Sequence, residues 1–186
     1  MFASYLITDP HFYSQDPVVL RKILAGVFMR HLPTHACLRD KSTPEYAALA
    51  SVFVPFVRSY GVKAVLHSDV DLALALEADG VHLPFPLAHR IGQAKENGLY
   101  VMVSTHTQEE ALIAQKEGAD AITFSPIFPT PGKGPAVGLE KLKEIIGILS
   151  LDVFALGGIV TDAQIRLCEQ AGASGFASIR YFCNPR

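Results

Sequence analysis

Three segments of this 186-residue chain share one pattern: EADGVHL at 77–83, EGADAITF at 117–124 and AGASGFASI at 171–179. Each ends a helical pattern on a small residue and opens a short apolar strand, the join that a repeated β/α unit makes. The small residue permits the tight turn at the helix end. Few folds are built on that join. It predicts strands alternating with helices, and hence a parallel sheet with right-handed crossovers.

Short apolar runs at 3–8, 34–38, 63–67, 80–83, 100–104, 121–124, 153–156 and 175–179 supply eight strands. Helical patterns near 17–30, 44–59, 69–77, 87–97, 107–117, 138–149 and 161–171 lie between them. Eight such strands predict an α/β fold, a compact (β/α)8 TIM barrel. The chain stops at RYFCNPR, soon after the eighth strand, so the last helix is missing or reduced to a turn. An open Rossmann-like sheet competes, but ITDPHF follows the first strand where a G-x-G-x-x-G would stand. With 49% hydrophobic residues the chain can bury one core, and residues 1–186 read as a single domain.

Charge and cysteine content narrow the function. The net charge is −2 with both signs interspersed, so no basic stripe tracks a nucleic-acid backbone. MFASYLITDP has neither a charged leader nor a long apolar run, and no segment of ~18 apolar residues occurs, which points to a cytoplasmic protein without a membrane partner. Cys37, Cys168 and Cys183 are odd in number and lack a CxxC pair, against both a disulfide framework and structural zinc. Cys168 reads as core, and Cys37, at a strand end, as a residue near a ligand.

Function in such a barrel belongs at the C-terminal strand ends. Thr8, Asp9, Arg39, Lys41, His67, Asp69, His82, Ser104, His106, Ser125, Thr130, Lys133, Gly157, Gly158, Ile179 and Arg180 gather there. Arg39, Lys41, Lys133 and Arg180 come from three βα junctions, and Gly157 with Gly158 would let backbone N–H groups approach an anion. The loop SPIFPTPGK, stiffened by Pro126, Pro129 and Pro131, holds Thr130 and Lys133 at one rim. The implied ligand is a phosphorylated small molecule. Asp79 and Asp120 precede strands and read as turn or cap residues. Tyr46, Phe53, Phe56 and Tyr60 form a packing face on a helix that Pro55 should kink. Lys63, Arg90, Lys95, Lys141 and Lys143 read as solvated, and His106 as a cap or packing residue near the fifth helix.

In order, YLITD, LRDK, DVDLALALEADGVHL, VSTHTQEEALIAQKEGAD, SPIFPTPGK, ALGGI and GASGFASI resemble the thiamine-phosphate synthase and TenI family over nearly the whole chain. The resemblance implies a barrel of thiamine biosynthesis. Synthases of that family join a pyrimidine pyrophosphate to a thiazole phosphate using magnesium, whereas TenI relatives tautomerise the thiazole phosphate. Carried over, Arg39 and Lys41 would hold the pyrophosphate and Lys133 would assist its departure. Ser104, Thr130, Gly157, Gly158, Ile179 and Arg180 would bind substrate or phosphate, Arg180 replacing a serine of the family.

The pattern departs elsewhere. Cys37 replaces a glutamine and Gly132 a threonine. The Asn-Asp of the metal site is His67-Ser68, with Asp69 following, and Gly-Gln-x-Asp is Pro84-Phe85-Pro86-Leu87. Asp69 is thus the single weak candidate metal ligand, and a magnesium cofactor is in doubt, because magnesium needs hard oxygen ligands. Pro126 stands where the TenI branch has its tautomerase histidine. His67, replacing a polar ligand, is the candidate catalytic histidine. The alternatives are a synthase-like transferase, a TenI-like tautomerase, and a catalytically silent phosphate-ligand-binding or regulatory homologue; a homo-oligomer is possible for each.

Overall fold

The computed structural model describes residues 2–183. Eight parallel strands, β1 (Ala3–Ile7), β2 (His35–Leu38), β3 (Lys63–His67), β4 (Gly80–Pro84), β5 (Tyr100–Thr105), β6 (Ala121–Phe124), β7 (Asp152–Leu156) and β8 (Gly175–Ser178), close in sequence order into a barrel. Around it run α1 (Pro17–Arg30), α2 (Tyr46–Ser59), α3 (Val70–Ala75), α4 (Ile91–Glu96), α5 (Gln108–Lys116), α6 (Gly138–Ile148), α7 (Asp162–Gln170) and α8 (Arg180–Cys183). A 3-10 turn, Phe85–Arg90, leads into α4. The last helix is reduced to a single turn, anchored by buried Phe182 stacked on Phe176.

The two-residue period of a strand separates two apolar sets. Tyr5, Ile7, Cys37, Val65, Met102, Phe154 and Ala177 fill the barrel, whereas Leu6, Leu38, Leu66, Val81, Val101, Ile122 and Phe176 join the layer beneath the helices. Cys37 belongs to the first set, beside Ile7 of the neighbouring strand. It is fully buried in the barrel, and burial pushes its thiol up to about 12.

The repeated segment acts as a staple at the N-terminal end. Asp79 donates its backbone N–H to Ala64 O and accepts from Ala64 N with its carboxylate, at 2.9 and 2.8 Å. Asp120 does the same with Val101 at 3.0 and 2.7 Å, and Ser174, with its hydroxyl as the acceptor, pairs likewise with Val153 at 2.9 and 3.3 Å. Thr34 adds a fourth, donating to Ser4 O and accepting from Ser4 N at 2.9 and 3.1 Å. The staples join β1 to β2, β3 to β4, β5 to β6 and β7 to β8, so every second strand start is tied to its predecessor. In three of them the residue two before the staple has positive φ: Gly118 and Gly172 at 92°, Glu77 at 53°.

Several residues read as solvated have partners. Lys95 bonds Asp120 at 2.6 Å and Arg90 bonds Asp71 at 3.0 Å, while Lys63 lies over the Tyr100 ring. Lys141 and Lys143 pair with Glu144 and Glu140 on the exposed face of α6. Helix α2 continues through Pro55. Tyr46 does more than pack: its hydroxyl donates to Leu38 O at 2.8 Å and accepts from His67 N at 3.0 Å, pinning the ends of β2 and β3 together.

Candidate functional site

A cavity of about 450 Å³ opens at the C-terminal end of the barrel. Arg39 and Lys41 enter it from the loop after β2, Lys133 from the loop after β6, and Arg180 from the end of β8. Among the described residues Asp9 is the one carboxylate on its wall, and it is engaged: Arg39 Nη1 donates to it at 3.1 Å and His11 binds its other oxygen. Burial works to raise the Asp9 pKa, but the His11 hydrogen bonds and the Arg39 charge outweigh it and hold the carboxyl below its usual value. Partial burial and the charges of Arg39 and Lys133 lower the Lys41 pKa. These cations sense one another, as groups converging on one anion do.

Gly157 and Gly158 line the same cavity, with φ of 100° and 69°. Their lack of side chains also has a packing cause. A Cβ on Gly157 would stand 2.7 Å from Pro126 Cα, and one on Gly158 2.7 Å from Pro129 O. The loop after β6 lies directly against the loop after β7, with Ile127 N donating to Leu156 O and Phe128 N to Gly157 O. The two loops thus form one wall. Thr130 lies on it, its hydroxyl donating to Phe128 O at 2.9 Å. Ile179 completes the rim beside Arg180.

Three histidines reach the cavity in different states. His82 is buried, with Nδ1 3.0 Å from the Tyr5 hydroxyl and Nε2 2.7 Å from Ser104 Oγ. Burial, with the nearby His67 and Arg39, holds its pKa well below 6.5. His67 lies 9% exposed, its Nδ1 2.7 Å from Ser68 Oγ; burial and the charges of Arg39 and Lys41 lower its pKa to about 3. A ring so strongly biased to the neutral form is a weak base near neutral pH.

His106 is the residue the sequence undervalued. The cap of α5 is Thr107, whose hydroxyl accepts from Glu110 N, and the His106 ring turns away from that helix into the cavity. Its Nδ1 stands 3.0 Å from Ser125 O. The Ser125 hydroxyl lies 3.2 Å from the same nitrogen, so Nδ1 meets an acceptor and a donor on one residue. The THTQEE pattern marks a helix start, and that signal hid the ring of the preceding residue.

The residues near Asp69 do not build a magnesium cage. Asp69 Oδ1 caps α3 by accepting from Leu72 N at 2.9 Å, and Ser68 Oγ is bound to His67. Asp40 accepts from Ser42 and Thr43 backbone N–H groups and from Gln15. Leu87 packs, half buried, against the core under the helices and does not line the cavity. Among the described residues no group of three or more His, Cys, Asp or Glu side chains is placed to hold a metal ion.

The fold has a close counterpart. A solved thiamine phosphate pyrophosphorylase from Pyrococcus furiosus superposes with a TM-score of 0.82 at 30% identity, covering 96% of this chain and 85% of that one. The "Putative thiamine-phosphate synthase 2" of Aquifex aeolicus is 38% identical over 185 residues, 96% of each protein. The thiamine-phosphate synthase of Roseiflexus castenholzii is 40% identical over 153 residues, 76% of this chain and 65% of that protein. The model of the thiamine monophosphate synthase family, TMP-TENI, matches residues 4–182, and the chain belongs to that family of thiamine biosynthesis.

Proposed function

We propose that this barrel is a synthase-type transferase of the cytoplasm, holding a pyrimidine pyrophosphate and a thiazole phosphate in one cavity. The observation that carries the reading is the set of four cations from three separate strand ends around a cavity with one, already paired, carboxylate. Arg39 and Lys41 clamp the pyrophosphate by charge-assisted bonds, and Lys133 neutralises charge as it leaves. Gly157, Gly158, Thr130 and Arg180 form the thiazole-phosphate wall. Breaking the bond from carbon to pyrophosphate leaves a cationic pyrimidine methylene, which the thiazole nitrogen captures. Such a step needs placement and electrostatics more than a nucleophilic side chain.

Because Asp69 and Asp40 already serve backbone and side-chain donors, the pyrophosphate clamp rests on Arg39 and Lys41 without a protein-held metal. Each missing electrostatic contact of this kind typically lowers turnover by ~10²–10³. Thiamine-phosphate formation should therefore run well below about 1 per second, a modest enzymic rate, while inorganic pyrophosphate still binds. A full-speed synthase would show that the missing carboxylates are unimportant. Failure to bind pyrophosphate would sink the transferase reading. The engaged carboxylates favour one second reading, a silent phosphate-ligand binder, which the same assay identifies by binding with no product.

A further inference from the structure

The hydroxyl of Tyr5, the ring of His82 and the hydroxyl of Ser104 run as one hydrogen-bonded line from the sealed barrel interior to the cavity, with links of 3.0 and 2.7 Å. Tyr5 is 0% and His82 2% exposed, so neither exchanges its partner for water. We infer that Tyr5 and His82 are positioning residues of fixed polarity, which turn Ser104 into a dedicated hydrogen-bond donor to an anionic oxygen of the ligand. This deepens the transferase reading and rests on it for the ligand.

The polarity follows from counting donors. Among the described residues the Tyr5 hydroxyl hydrogen-bonds His82 Nδ1. The other polar atom beside it is the Cys37 sulfur, a weak acceptor. If Nδ1 carried the proton, the phenol O–H would be left buried with no acceptor better than sulfur, which is the costly arrangement. With the phenol donating, Nδ1 is the acceptor. The neutral ring must then carry its proton on Nε2 and donate it to Ser104 Oγ.

Ser104 then keeps its own proton for something else. Its register neighbour on β6, Thr123, makes no hydrogen bond through its buried hydroxyl, so the proton is not consumed there. Ser104 is half buried on the cavity wall that also carries Arg39 and Lys41. A donor held in a cationic cavity selects an acceptor-only partner, and a pyrophosphate or phosphate oxygen is one. The reverse polarity would make Ser104 an acceptor that faces the anion with lone pairs.

Nitrogen NMR of the isotope-labelled full chain, without ligand, reads the tautomer of His82 directly. The expected signature is a protonated Nε2 and a bare Nδ1. Tyr5→Phe keeps the ring packing, removes the donor and should release the ring to the opposite tautomer. Calorimetry with inorganic pyrophosphate gives the second readout. Ser104→Ala should weaken binding about tenfold, the value of one hydrogen bond to a charged partner. Tyr5→Phe should weaken it several-fold, and adding Ser104→Ala to Tyr5→Phe should cost far less than Ser104→Ala alone, because coupled residues are not additive. A protonated Nδ1 in the unaltered protein overturns the relay at any affinity. The stated tautomer with unchanged affinity in Ser104→Ala overturns the donor role. If pyrophosphate fails to bind the unaltered protein while the tautomer is as stated, the polarity stands and the transferase reading falls.

Discussion

The two ends of the barrel treat charge in opposite ways. At the N-terminal end Asp79 and Asp120 are saturated: each binds a backbone N–H of the preceding strand and stands against a cation, Arg58 or Lys95. At the C-terminal end Arg39, Lys41, Lys133 and Arg180 face one cavity whose single acid is already paired. Charge that is satisfied internally ties strands together, and charge left facing a cavity awaits a ligand. The same residue types thus hold the structure at one end and recognise an anion at the other.

Acid should expose the difference most strongly. His67 and His82, toward the open end, and His35 inside the barrel are held neutral, with pKa about 3 for His67, about 4 for His35 and well below 6.5 for His82. Burial is the largest cause for each. Below about 6.5 the unfolded chain therefore binds more protons than the folded one. Stability is full above that pH and falls as the pH drops toward 3 and 4, by up to about 1.4 kcal/mol per pH unit for each histidine. Urea unfolding across this range measures the slope, and His67→Gln should reduce it by one proton's worth. An unchanged slope in that variant would mean the ring is not held neutral by its surroundings.

Next in size is the anion clamp. Arg39→Ala and Lys41→Ala should each weaken inorganic pyrophosphate binding ~10- to 100-fold, the worth of about 1.5–3 kcal/mol for a charged hydrogen bond. Global stability should barely move, since the half-buried pair of Arg39 and Asp9 is worth little in a screened setting. Arg180→Ala should act in the same direction on inorganic phosphate. If affinity is untouched while stability drops, the open end is structural like the closed one, and the contrast collapses. Magnesium without pyrophosphate should bind weakly, and calorimetric detection of a tight site would show that a carboxylate leaves its present partners to take up the ion.

The closed end predicts the mirror result. Asp120→Ala strands the N–H of buried Val101 and frees Lys95, and should cost roughly 1–3 kcal/mol in denaturant unfolding. Pyrophosphate affinity should stay where it is. A variant that loses both would show that the two ends are mechanically coupled through the barrel.

What could be read in the sequence follows the same divide between local and distant. Strand and helix order was legible because periodicity is local, and helix α1 matches its predicted limits of 17–30 residue for residue. Three of the four staples lie in the segments read as a repeat, although Asp79 and Asp120 were read there only as turn or cap residues. The fourth, Thr34, follows a histidine-proline stretch outside that repeat. The line from Tyr5 to His82 to Ser104 was not legible at all: its members stand 77 and 22 positions apart and meet only when the barrel closes. Leu87, a family position aligned in sequence, falls on an apolar turn packed against the core, so placing an aspartate there would bury a charge rather than rebuild a metal site.

The smallest effect tests whether the staples are truly one repeated device. Glu77 occupies the place that Gly118 and Gly172 hold in the other copies, with φ of 53° in a region where a side chain crowds its own backbone. Its carbonyl accepts from Arg58 at 2.9 Å, a bond that the backbone supplies whatever the side chain. Relief of the left-handed strain is worth about 1–2 kcal/mol, and the greater freedom of glycine in the unfolded chain takes back about 0.5–1 kcal/mol. Glu77→Gly should therefore stabilise the protein by up to about 1.5 kcal/mol in urea unfolding, with no change in pyrophosphate binding. Gly118→Ala and Gly172→Ala should destabilise it through the same strain in reverse. If all three changes move stability in one direction, the positions are not equivalent, and the staples arose from separate local solutions rather than from a repeated unit.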